Sequence, residues 1–124
     1  RETVLRTIDY LNRLPIQGVK LQLLHVLSDS DLADLYRAGE YTPLEKEEYL
    51  TLVGDCIAHL RADIVLHRLT GDGDKNTLLA PLWSLRKRDV LNHLHRYLRE
   101  NHIRQGMSCK IDLSVIYNKP KDVL

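Results

Sequence analysis

The sequence predicts an α/β fold, an incomplete (β/α) barrel segment with parallel strands and crossover helices. Two apolar runs, Val19 to Leu27 and Ile64 to Thr70, are bounded by turn residues and read as strands. Amphipathic stretches at helical spacing precede, separate and follow them. The order helix–strand–helix–helix–strand–helix is a βαβ pattern, which implies parallel strands and right-handed crossovers. Two strands do not make a stable sheet of that kind, because parallel sheets need both faces covered and several strands. The expectation is therefore that further sequence or a partner chain completes the sheet. An opening at Arg1 and a single methionine, Met107, likewise read as sequence cut from something longer.

Each element has its own signal. Val4, Leu5, Ile8 and Leu11 recur at helical spacing and predict a helix over 2–13, after which Pro15 and Gly18 mark a loop. The run from Val19 to Leu27 is too apolar for a surface loop and reads as a strand buried on both faces, with Lys20 and Gln22 on one side and Leu21 and Leu23 on the other. Ser28 to Ser30 offer caps for a short helix through Leu32, Leu35 and Tyr36, which Gly39 ends. Thr42-Pro43-Leu44-Glu45 has the form of a capping box with Pro at the first helical position. The helix it opens runs to about Arg61 on the stripe Tyr49, Leu52, Val53, Cys56, Ile57 and Leu60. A second strand ends in Gly71-Asp72-Gly73-Asp74, a longer loop passes through Pro81 to Trp83, and a last helix over 86–101 buries Val90, Leu91, Leu94, Tyr97 and Leu98. Beyond Gly106 the pattern is that of an added strand or an ordered tail, so 1–106 form the domain and 107–124 a divergent end.

Composition narrows the function. The 124 residues suffice for one domain with a core and leave no room for two. With 44% hydrophobic and 28% charged residues the chain has a globular, ordered composition. A net charge of +1 gives no overall field for steering nucleic acid or membrane, although local patches remain open. No apolar run approaches the ~18 residues needed to cross a bilayer, and the amino end is no signal peptide. Cys56 and Cys109 belong to no paired motif, Cys56 lies in an apolar helical stripe, and a reducing cytoplasmic setting fits them. No metal site is expected from this chain alone.

In α/β folds, ligands bind at the carboxyl ends of the strands, here His25 to Ser28 and Arg68 to Asp74. Lys20 in an apolar strand faces either a solvated, ligand-filled interior or open water at an edge. His25 is a titrating group at a site mouth or a structural histidine. His67 and Arg68 alternate, so at most one looks inward. Gly71-Asp72-Gly73 lacks the spacing of a phosphate loop, and its carboxylates repel phosphate, which leaves a tight turn or a site for a hydroxyl or amine donor. Arg86, Lys87 and Arg88 open the last helix, against the macrodipole, and with Arg96, Arg99 and Arg104 form either a solvated face or an RNA-contacting patch. His93 and His95 lie on nearly opposite sides of that helix and cannot share a metal. No nucleophile constellation is present, so no catalytic residue is assigned.

The words His67-Arg68-Leu69-Thr70-Gly71-Asp72-Gly73, Ala80-Pro81-Leu82-Trp83-Ser84-Leu85, Lys87 and Asp89-Val90-Leu91-Asn92 resemble the C-terminal region of the YtqA/YhcC-type radical SAM proteins, relatives of the Elongator catalytic subunit. Gly18-Val19-Lys20-Leu21 and Leu23-Leu24-His25-Val26-Leu27 look like the preceding strand, with Gln22 where that family carries His, and the resemblance covers about residues 3–106. It implies a partial barrel holding S-adenosylmethionine and a [4Fe–4S] cluster. The cluster's three-cysteine motif belongs to an amino-terminal half of the barrel that this chain lacks, so the segment binds neither cofactor alone. The implied parent enzyme generates a 5′-deoxyadenosyl radical and modifies the wobble uridine of tRNA. Lys20, His25, His67, Arg68 and Asp72 become candidate wall residues around cofactor or substrate, and Arg86, Lys87, Arg88 and Arg96 candidate tRNA contacts. The competing expectation is a non-catalytic module that binds RNA or completes a partner.

Overall fold

The structure is a computed structural model, and it describes residues 1–71, 73–111 and 116. Helix α1 spans Glu2–Asn12, strand β1 Gly18–Lys20, β2 Val26–Leu27, α2 Asp31–Arg37, α3 Lys46–His59, β3 Val65–Arg68, β4 Leu78–Ala80 and α4 Lys87–Glu100, with a 3₁₀ turn over Leu82–Leu85. The expected parallel pairing is present: β1 pairs β3 in parallel, with α2 and α3 in the crossover between them. Gln17 O accepts from Val65 N at 2.8 Å at one end of the pair, and Arg68 O accepts from Leu21 N at 2.8 Å at the other.

Three expectations from the sequence need correction. The run 19–27 is not one strand buried on both faces. It breaks after Lys20, and Val26–Leu27 joins a different, antiparallel ribbon with Leu78–Ala80, a segment that reads as loop in the sequence. Lys20, Gln22 and Leu24 are exposed, Leu24 to 57%, whereas Leu21 and Leu23 pack on the core. The strand is thus apolar on one side only. Thr42 does not cap α3. Glu45 does, with its carboxylate on the backbone of Glu48 and Glu48 Oε1 accepting from Glu45 N at 3.2 Å. The helix starts later because Leu44 O is engaged by the indole of Trp83, which donates from Nε1 at 3.1 Å. The third correction is in the loop read through Pro81 to Trp83, where Leu82–Leu85 form a 3₁₀ turn ahead of the last helix. The other helix signals hold: Ser30 Oγ accepts from Ala33 N to cap α2, and Gly39, at φ +75°, follows its end. The expected added strand over 110–117 falls mostly outside the described residues.

Tyr49, Leu50, Val53 and Ile57 of α3 face Val90 and Leu94 of α4 in the main core. A second cluster joins Ile8 of α1 to Cys56, Leu60 and Ile64, and a small third one packs Val26 and Ala80 against Ala33. Each fully buried aliphatic side chain contributes about 1.5–3 kcal/mol. Between α1 and the strand pair lies a polar knot that the sequence does not announce. Arg61 is 2% exposed, and its guanidinium donates to Asn12 O (2.7 Å), Leu14 O (3.1 Å), Ile16 O (3.0 Å) and Asp63 Oδ1 (2.6 Å). Buried Asn12 completes it, accepting from Arg61 N at 2.8 Å and donating to His59 O at 2.7 Å. The carbonyls at and beyond the end of α1 are thereby satisfied by one planar fork, and the chain enters β1 in fixed register with β3.

Arg61→Ala leaves those carbonyls without their donor and takes the guanidinium from Asp63. It is expected to cost about 3 kcal/mol in urea unfolding, as much as a core leucine, with Arg61→Lys recovering little because an ammonium cannot reproduce the fork. Wild-type stability in Arg61→Ala contradicts this account of the knot.

Candidate functional site

The two segments predicted to hold strand ends meet, although β1 itself stops at Lys20 and His25 lies beyond it, ahead of β2. His25 lies on the irregular segment between β1 and β2, and its ring packs directly on the turn after β3. A Cβ added to Gly71 would lie 2.6 Å from His25 Cε1, and one added to Gly73 would lie 3.4 Å from it. No larger residue fits at position 71 without moving the imidazole, so the absence of a side chain at Gly71 is what lets His25 pack there. His25 Nε2 is buried and has no hydrogen-bond partner among the described residues. Burial pulls the His25 pKa below its ordinary 6.5. The imidazole therefore stands between the segments that follow β1 and β3, with its buried Nε2 unpartnered among the described residues. Asp72, between the two glycines, lies outside the described residues.

The remaining wall candidates divide between two faces. Leu66 packs on the core, and half-buried Arg68 lies on that same side of β3. His67 is exposed and lies across Gly18, where an added Cβ would collide with its imidazole. Lys20 is exposed on the side away from the helices, as is Val65. A register shift between Val19 and Lys20 makes Arg68, not His67, the backbone partner of Lys20. The structure thus joins His25 to the glycine turn, pairs Lys20 with Arg68 along the backbone, and sets His67 on the outer face.

Arg86, Lys87, Arg88 and Arg96 are all exposed or half-exposed on α4 and its entry. The first three, with Leu85, Asp89 and Asn92, line a shallow depression of about 600 Å³ at the start of α4. Asp89 sits in the first turn, where a carboxylate offsets the unfavourable charge of its neighbours. It also belongs to a cluster that no motif in the sequence announces. Lys46 Nζ donates to His93 Nδ1 at 2.7 Å and lies 3.8 Å from Asp89, while His93 Nε2 lies 3.5 Å from the same carboxylate. A lysine ammonium has only donors, so His93 Nδ1 is the acceptor and its proton resides on Nε2. His95 is exposed and apart from His93, as their spacing predicts.

Cys56 does not suit a metal cluster. Cys56 is buried in α3, and burial, with Asp55 adding to it, pushes its thiol up to about 11, so the thiolate a metal needs is suppressed. Among the described residues no group of three or more His, Cys, Asp or Glu is placed to hold a metal ion. The residues present do not fit an iron–sulfur cluster. No helix among the described residues is long and apolar enough to cross a membrane.

The parallel strand pair, the crossover helices and the His25–glycine turn lie within a segment with a recognised family. The Radical_SAM C-terminal domain model matches residues 16–100, and the chain belongs to that family. YtqA of Bacillus subtilis (strain 168) is 30% identical over 106 residues, which cover 86% of this chain and 33% of that protein. YhcC of Escherichia coli (strain K12) is 31% identical over 99 residues, 80% of this chain and 32% of that protein. The chain spans about a third of the length of these relatives. The family implies S-adenosylmethionine and a [4Fe–4S] cluster in the parent enzymes.

The packing of His25 on Gly71 yields two predictions. Gly71→Ala should destabilise the chain, and the added truncation His25→Ala should restore part of the loss, with a coupling of about 1 kcal/mol in a double-mutant cycle. Additive effects contradict the packing. His25 binds a proton more readily unfolded than folded, so stability is full above pH 6.5 and falls as pH drops below it. His25→Gln should flatten that fall in pH-dependent urea titrations, and an unchanged slope refutes the assignment.

Proposed function

We propose that this chain is the C-terminal segment of a radical SAM enzyme that modifies the wobble uridine of tRNA, and that it is inactive without the cluster-binding half of the barrel. The observation that carries the reading is the seating of His25, on the segment that follows β1, against Gly71, on the segment that follows β3, inside the stretch matched by the family model. Carboxyl strand ends are where α/β folds place their chemistry. In a barrel the helix-facing side of each strand is packed and the other side faces the interior. Lys20 and His67 lie on the side away from the helices, which supports them as wall residues of such an interior. His25, Arg68 and Asp72 belong to its rim in this reading. There a neutral imidazole accepts or donates one hydrogen bond to a bound hydroxyl or amine. The cluster ligands belong to the other half of the barrel, and a cytoplasmic setting goes with this reading.

The basic start of α4 supports tRNA as the partner, since Arg86 and Arg88 are exposed beside a depression large enough for a phosphate, with Arg96 further along the same helix. The same observation favours the second reading, an RNA-binding module without catalysis of its own.

A polypeptide that joins this region to a Cys-x-x-x-Cys-x-x-Cys segment is expected to be brown and to cleave S-adenosylmethionine. This chain alone should do neither. Colourless, inert protein from the full-length gene overturns the enzyme reading. Replacing Arg86, Lys87 and Arg88 together by Ala should weaken tRNA binding and lower the slope of log affinity against log salt by about 1 for each phosphate the helix no longer neutralises. An unchanged slope removes the helix from the RNA interface.

A further inference from the structure

Next to the basic start of α4 lies a second concavity, of about 440 Å³, that the strand-end site does not use. Its walls are Tyr36 of α2, Pro43 and Leu44 ahead of α3, and Pro81, Leu82 and Trp83. Trp83 is held from behind. Its ring meets Tyr49 at 5.4 Å between centroids, tilted by 41°, and its Nε1 is engaged by Leu44 O. The indole is therefore fixed in orientation while it still lines the groove. Leu82 at the rim is 62% exposed.

The groove and the basic patch are joined through one structural unit. The 3₁₀ turn Leu82–Leu85 carries Leu82 and Trp83 into the groove and leads straight to Arg86, whose backbone N–H donates to Trp83 O at 3.3 Å. At about 2 Å of rise per residue, the Trp83 and Arg86 backbones stand roughly 6 Å apart along the turn. That span is comparable to the distance from a nucleobase to its own phosphate. An oriented aromatic ring in an apolar slot beside arginines is the arrangement that proteins use for unpaired nucleotides, the base stacking and the phosphate held by charge.

Building on the RNA reading above, we propose that this groove takes one unpaired base of the bound RNA, stacked on Trp83, while Arg86 and Arg88 hold the adjoining phosphate. The occupant is a single-stranded or looped-out nucleotide. A duplex offers no free base face and meets only the arginines. Glu45 on the groove wall adds an acceptor for the amino or imino hydrogens of a base edge.

Trp83 is the chain's single tryptophan, so its fluorescence reads the groove directly. The test titrates the protein with a uridine-rich single-stranded octamer and with a duplex of the same sequence, at several salt concentrations. The single strand is expected to quench Trp83 saturably and to bind about 10-fold tighter than the duplex, which leaves the emission unchanged. Leu82→Asp, at an exposed position, should abolish the quench and the preference for the single strand while duplex affinity stays within about 2-fold. Binding of both RNAs with steep salt dependence but with neither quench nor any effect of Leu82→Asp overturns the groove and leaves the RNA reading standing. Absence of binding to either RNA at low salt overturns both.

Discussion

Arg61 stands where the end of α1, the exit of α3 and the entry to β3 converge, and its guanidinium bonds three carbonyls that no strand supplies with partners. A buried cation is tolerated only when its donors are used, and here Asp63 adds the opposite charge at 2.6 Å. The knot sets where the chain leaves α1, and Gln17 then meets Val65 at the start of the parallel pair. Gln105 extends it from the far side, donating to Arg61 O at 2.9 Å and Ile64 O at 2.6 Å. The residues after α4 are thereby tied to the base of the same strands.

The strand ends inherit their geometry from that base. With β1 and β3 in register, Leu21 still bonds Arg68, and the chain beyond carries His25 across onto Gly71. Tyr49 anchors the opposite side, its hydroxyl donating to Leu69 O at 2.5 Å. Leu69 is thus held by α3, and Gly71 by the imidazole of His25.

Much of the fold was legible because helical periodicity is a local property. Helices α1 to α4 lie within a residue or two of where their stripes put them, apart from the start of α3. There the sequence reads Thr42 as the cap with Glu45 closing its box, whereas Glu45 is itself the cap, and the indole of Trp83, 39 residues along the chain, takes Leu44 O. The break of the first strand was not legible: β2 follows its partner Leu78–Ala80, and nothing in the apolar run names a partner so distant along the chain. Of the site, Gly71 was readable as lying beyond the second strand, but His25 was not: β1 stops at Lys20, so His25 is no strand end, and its meeting with Gly71 depends on a path the apolar run does not show. Arg61 looked like any charged residue at a helix end, since burial of a guanidinium depends on carbonyls distant in sequence.

The central claim is that the joined ends of β1 and β3 line the chamber of a radical SAM enzyme. Hydrogen exchange of the cluster-loaded parent protein, followed with S-adenosylmethionine and then with tRNA added, tests it most directly. The account predicts slower exchange at 21–25 and 67–73 on addition of cofactor or substrate, with the amides of α1 unaffected. Unchanged exchange in both segments under both additions would contradict it.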